Sequence, residues 1–164
     1  MTSTSPDSPA STPPANGVGL AERMPYLLNS CRTIAVVGLS PHPHRASFDV
    51  ARAMQAAGYR IIPVNPNATE VLGEKAYATL KEAAQHEKID LVNCFRNSED
   101  IPPIVEDAIA IGAKAVWMQL GVSNAAAAAS AEAAGLLVVQ DKCLKIDHRV
   151  LLSSGLVQPG GPSH

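Results

Sequence analysis

Residues 33–47 read TIAVVGLSPHPHRAS, and the fold turns on them. Thr33, Ile34, Ala35, Val36 and Val37 form an unbroken apolar or β-branched run that stops at Gly38. Such a run is a strand buried on both faces, the kind found in parallel sheets covered by helices. A different pattern follows in SFDVARAMQAAG, residues 47–58. Phe48, Ala51, Met54 and Ala57 recur there at about three-residue spacing, with Ser47 able to cap the start and Gly58 to end it. This is a helix.

The same alternation continues along the chain. Residues 59–64 form a second strand, halted by Asn65-Pro66, and residues 90–95, DLVNCF, a third. A helix over 101–112 opens with Pro102-Pro103, as a first turn permits. Residues 114–118 are a fourth strand, 124–135 an Ala-rich helix and 136–140 a fifth strand. Strands alternating with helices of this length predict an α/β fold, a doubly wound, parallel five-stranded, Rossmann-like sheet. Right-handed crossovers leave few topologies, of which the order 3-2-1-4-5 is expected. Ligands of such sheets bind beyond the carboxyl ends of the strands, near the switch point beside the first strand.

Composition sets the outer limits. The 164 residues fit one folded unit, expected over 20–152, with disordered tails over 1–19 and 153–164. Hydrophobic residues are 46% of the chain and aromatics 4%, so the core is aliphatic. A net charge of -2 offers no basic field for nucleic acid or an anionic membrane. The N-terminal segment TSTSPDSPASTPP lacks the basic start and apolar run of a signal peptide, and no apolar run is long enough to span a bilayer. Three widely spaced cysteines fit neither a disulfide framework nor a metal site, which points to a reduced, cytoplasmic setting.

The loop after the first strand has the makings of an anion site. Gly38 ends the strand, and Leu39, Ser40 and the residues up to Ser47 lead into a helix N-terminus with free backbone N–H groups. Ser40 and Ser47 add hydroxyls and Arg45 a charge suited to phosphate. An ordinary strand-to-helix turn with a capping serine fits the same residues. The loop is not the dinucleotide fingerprint, which needs glycines where Ser40 and Pro43 stand, and it contains no Gly-Lys-Ser/Thr of a P-loop. An NAD site wants an acidic residue after the second strand, where Asn65 stands.

The segments TIAVVGLSPHPHRASFDVARAMQAAGYRIIPVNP, VLGEKAYATL, IVEDAIAIGAKAVWMQLGV and VVQDKCLKIDH closely resemble the small stand-alone bacterial CoA-binding proteins. Those are related to the CoA-binding N-terminal domain of the succinyl-CoA synthetase α-subunit. The resemblance covers about residues 20–152. It implies a Rossmann-like fold with coenzyme A, free or acylated, across the strand ends, and it implies no reaction. Carried onto this chain, it puts the phosphates near Gly38, Leu39, Ser40, Arg45 and Ser47, and the adenosine near Val64, Asn65 and Pro66. Phe95-Arg96 resembles the family's Phe-Arg pair, with Arg96 toward a phosphate and Phe95 flanking the pantetheine. Gln119 and the Gly121 backbone would hydrogen-bond the pantetheine amides, while Trp117 reads as core. Cys143 lies in what resembles the family's closing motif.

Three readings follow. The first is a binding module for coenzyme A or an acyl-CoA, acting as sensor, carrier or partner subunit, without catalytic residues or metal ligands; a protein partner is left open. The second is a small thiol- or thioester-handling enzyme using Cys143, with Lys142 favouring its thiolate; the residue reads more readily as a small buried hydrophobe. The third is an NADP binder whose phosphate meets Arg45. Cys31 and Cys94 read as packing. Asp147 and His148 are adjacent on a helix and do not face each other, so they form no dyad. The synthetase relatives phosphorylate a histidine in a second domain for which this chain has no room, and that argues against ligase activity.

Overall fold

The computed structural model describes residues 19–161. Helix α1 (Leu20–Ser30) leads into β1 (Thr33–Val37), α2 (Ala46–Ala56) and β2 (Arg60–Val64). A small ribbon follows, β3 (Glu70–Val71) with β4 (Glu74–Lys75), then α3 (Leu80–Ala84) and β5 (Leu91–Cys94). Next come α4 (Ile101–Ala110), β6 (Ala115–Met118), α5 (Ala125–Ala133), β7 (Leu137–Val139) and α6 (Leu144–Ser153). All five expected strands form, each trimmed by a residue or two or not at all.

The sheet is parallel throughout, in the order β2-β1-β5-β6-β7. Counting its strands in sequence gives 2-1-3-4-5, which corrects the expected 3-2-1-4-5. The reason lies at the free edge of β2. There Tyr77 donates its N–H to Pro63 O (3.0 Å) and accepts from Asn65 N (2.9 Å), so a short parallel bridge fills the place the third strand would take. The third strand runs against β1 instead, where Asp90 Oδ2 accepts from the N–H groups of Arg32 (2.9 Å) and Thr33 (3.0 Å).

Strand residues alternate between two cores. Ala35, Val37, Val92, Cys94, Val116 and Met118 face α3, α4 and α5. Ile34, Val36, Ile61, Leu91, Ala115 and Trp117 face α1, α2 and α6. Helix α1 was not foreseen from its sequence; it buries Leu27 and Leu28, and Tyr59 donates its hydroxyl to Leu28 O (2.5 Å).

Of the tail expected over 1–19, only Gly19 falls within the described residues, where it caps α1. Of the tail expected over 153–164, residues 153–161 fall within the described residues. Val157 is buried, Asn29 donates to Leu156 O (2.9 Å) and accepts from Gln158 N (3.0 Å), and Gly160 packs on Gly58.

Candidate functional site

Strand register determines what stands at the carboxyl edge. Val37 pairs with both Val64 and Cys94, and Cys94 with Met118. The residues that follow, Gly38, Asn65, Phe95 and Gln119, therefore form one row. Gly38 has φ +91°, and a Cβ there would collide with the Phe95 carbonyl oxygen. Only glycine lets the β1 and β5 loops come this close. Helices leave β1 and β5 on opposite faces of the sheet, so the crevice of a doubly wound fold opens at this point.

Three clefts meet there. One of about 370 Å³ lies over Val37, Val64 and Pro66, with Leu80, Ile104 and Arg96 as walls. A second, of about 490 Å³, surrounds Gly38, Ser40, His44, Arg45 and Ser47. The third, of about 520 Å³, runs between α2 and α6 past Gln119, Leu120, Val122 and Cys143. Arg96 lines the first and third, and Phe95 the second and third. The Phe95–Arg96 pair is thus their common wall.

The loop from Gly38 to Ser47 is built differently from the capped turn expected of it. Arg45 is the N-cap of α2 and makes no side-chain cap bond. Ser47, inside the first turn, accepts from Ser40 N–H through its Oγ (3.0 Å), and Ser40 Oγ accepts from His42 N–H (3.1 Å). The serines hold the loop's shape, and the first-turn N–H groups of α2 have no intrahelical partner. His42 and His44 are exposed, their rings 5.8 Å apart.

Other expected residues separate into cleft and scaffold. Leu39 is fully buried. Asn65 donates to Leu39 O (2.9 Å) and accepts from Asn67 N (2.8 Å), tying two loops together. Gly121 donates its N–H to Asp141 Oδ1 (2.7 Å). Gln119 does line the third cleft. Its Oε1 accepts from Asn93 Nδ2 (3.2 Å) and Leu144 N (3.4 Å), which directs the amide donors elsewhere. Trp117 is core, with Nε1 donating to Lys142 O (2.9 Å).

The cysteines divide in the same way. Burial pushes the thiols of Cys31 and Cys94 up to about 12, with the Asp90 charge adding to the effect at Cys31. Cys143 is half-buried in the third cleft, at the N-cap of α6. His148 turns from that cleft into the core, edge-on to Tyr59 with ring centroids 5.6 Å apart.

Sequence reasoning missed Asn93, Lys145 and Arg149. Asn93 was visible as an amide in an otherwise apolar strand; it is fully buried and its Oδ1 has no partner. Lys145 and Arg149 stand four apart on α6, the spacing of one helix face, and both line the third cleft. Lys145 meets Asp49 Oδ2 at 2.7 Å, and that hydrogen bond holds the Asp49 carboxyl below the usual range.

The sequence profile of the family described as "CoA binding domain" matches residues 32–149. The uncharacterized protein YneT of Bacillus subtilis (strain 168) is 44% identical over 124 residues, 76% of this chain and 90% of that protein. Among solved structures, a hypothetical protein from Pyrococcus horikoshii OT3 is 34% identical with a TM-score of 0.78, covering 93% of this chain and 99% of its own. A protein from Thermus thermophilus is 32% identical with a TM-score of 0.73, covering 78% and 96%.

Proposed function

The chain belongs to the CoA binding domain family, and on that premise we propose that it binds coenzyme A or an acyl-CoA along the carboxyl edge of its sheet and catalyses no reaction. One observation carries this reading: three clefts converge on Phe95–Arg96 at the switch point, so an elongated ligand of three chemically distinct parts has three compartments. The adenosine takes the first cleft, over Val64 and Pro66. The pyrophosphate lies against Gly38, Ser40, Ser47 and the first turn of α2, with Arg45 and Arg96 as counter-charges. The pantetheine runs past Phe95 and the Gln119 amide toward Cys143.

Binding alone is favoured because Cys143 and the nearest histidine in sequence do not form a pair. The histidine nearest in sequence, His148, is turned into the core against Tyr59. NAD is disfavoured because the residue after β2 is Asn65, whose amide is engaged with Leu39 and Asn67 and which brings no carboxylate for the ribose hydroxyls; against NADP stands the match to the CoA binding domain family.

Calorimetric titration with coenzyme A, NAD, NADP and ATP tests the assignment. Coenzyme A is expected to bind at micromolar concentration or tighter, and the others at least tenfold more weakly. NADP binding more tightly than coenzyme A would overturn the reading. Hydrolysis of acetyl-CoA that disappears in Cys143→Ala would replace the binding module by an enzyme.

A further inference from the structure

We infer that the third cleft takes an acyl-CoA whose acyl chain ends in a carboxylate. The inference rests on the coenzyme A reading and names the ligand class of the same site. Pantetheine and its thiol are uncharged, so free coenzyme A asks for no cation at this end. The cleft nevertheless carries Arg96, Lys145 and Arg149 against one acid, Asp49. Asp49 is already shared by Lys145 (2.7 Å) and Arg52 (3.2 Å). Arg96 stands at the junction with the adenosine cleft and serves the phosphates. Arg149 remains, with no ion-pair or hydrogen-bond partner among the described residues.

Its position suits an acyl terminus. Arg149 stands nearly two turns beyond Cys143 along α6, roughly 9 Å by helix rise, so it lies past the point where a thioester sulfur would sit. Between them the wall carries apolar side chains beside the Lys145–Asp49 pair. Leu120 and Ile146 are 65% and 48% exposed, and Val122 lines the cleft beside them. A methylene chain would cover these side chains, and a terminal carboxylate would meet a guanidinium suited to bidentate pairing. A chain ending in methyl would leave Arg149 unpaired beside an apolar segment.

Calorimetry on the full chain with four thioesters and free coenzyme A tests this. Glutaryl-CoA and pentanoyl-CoA differ only in whether a five-carbon chain ends in carboxylate or methyl; malonyl-CoA and propionyl-CoA repeat the contrast at three carbons. Glutaryl-CoA is expected to bind about threefold to tenfold more tightly than pentanoyl-CoA, the range of a partly exposed charged hydrogen bond. The ratio should fall toward one in Arg149→Gln and shrink in 0.5 M salt. Equal affinities for all four thioesters and coenzyme A overturn the acyl assignment and leave the coenzyme reading standing. Arg149→Gln weakening coenzyme A as much as glutaryl-CoA also overturns it, by making Arg149 a phosphate ligand. Failure of every coenzyme species to bind removes both readings.

Discussion

The two edges of the sheet use charge in opposite ways. At the amino edge, Asp90 accepts from two backbone N–H groups through Oδ2, while Lys114 (3.8 Å) and Lys88 (4.0 Å) stand at Oδ1. Lys114 also donates to Ser30 O (3.3 Å). The Asp90 carboxylate there is answered by the fold itself. At the carboxyl edge, the side chains of Arg45, Arg96 and Arg149 have no ion-pair or hydrogen-bond partner among the described residues, and a glycine stands where a Cβ would close the crevice. The amino edge ties β5 to β1 and so fixes topology, and the carboxyl edge leaves cations free for a ligand.

The largest expected effect comes from the one residue where both roles meet. Gly38→Ala adds a Cβ against the Phe95 carbonyl and a side chain at φ +91°. It should cost on the order of 3 kcal/mol in urea unfolding, the cost of strain plus a backbone clash. It should also abolish measurable coenzyme A binding. A fully stable Gly38→Ala that binds normally would mean that the loops tolerate separation and that the crevice geometry is incidental.

Next in size is a pair of variants that should separate the edges. Asp90→Ala leaves two backbone N–H groups of the β1 entry without their acceptor and should lose about 2–3 kcal/mol of stability, with the coenzyme A affinity of the folded protein unchanged. Arg96→Gln should do the reverse: stability within about 0.5 kcal/mol of the parent, as for an unpartnered surface charge, and affinity down roughly tenfold, as for a lost phosphate contact. If both variants weakened binding equally, the division between edges would not hold.

This division explains what could be read in advance. Strand runs such as residues 33–37 are legible because burial on both faces selects an unbroken apolar or β-branched run. The loop from Gly38 to Ser47 is legible because a strand end, a glycine and a helix start fall together. Strand order was misread, although a signal for it existed. Pro63 lies within β2, and a proline without an N–H belongs on an edge strand. The order 2-1-3-4-5 puts β2 at the edge, whereas 3-2-1-4-5 would bury it between neighbours. The third cleft was only half legible. Gln119 and Cys143 follow strands, where sequence reasoning looks for ligands. Lys145 and Arg149 reach the cleft through the packing of α6 on α2, which no local pattern encodes. Leu39, Asn65 and Gly121 are adjacent to the clefts in sequence and are engaged by the scaffold.

The cysteines sharpen the comparison at lower cost to the molecule. At pH 8 the thiols of Cys31 and Cys94, pushed up to about 12, stay protonated as well as buried. Cys143 alone opens on a cleft, so iodoacetamide should label it first, with the other two reacting only after unfolding. Saturating coenzyme A should slow Cys143 labelling severalfold, read by peptide mass mapping. Unaltered labelling under saturating ligand would show that the pantetheine does not pass this residue.

The smallest effect is expected from α6, which carries both behaviours on one helix: Arg149 faces the cleft and His148 the core. Burial lowers the His148 pKa below its ordinary value, and its Nε2 has no partner. The neutral imidazole is therefore the folded form. Above pH 6.5, the ordinary histidine value, folded and unfolded chains are both neutral and the full stability is present. As pH falls from there toward the folded pKa, the unfolded chain takes up a proton that the folded chain refuses, and stability is lost. Asp147 opposes this trend. Burial raises its pKa against the lowering pull of Lys142, so its contribution declines as pH rises through the folded value. Urea midpoints at pH 5 and pH 7.5 should show the wild-type protein weaker at pH 5, the difference shrinking in His148→Gln. A wild-type difference that survives unchanged in His148→Gln would assign the acid sensitivity to other groups, and would make the inward face of α6 as indifferent to protonation as a surface.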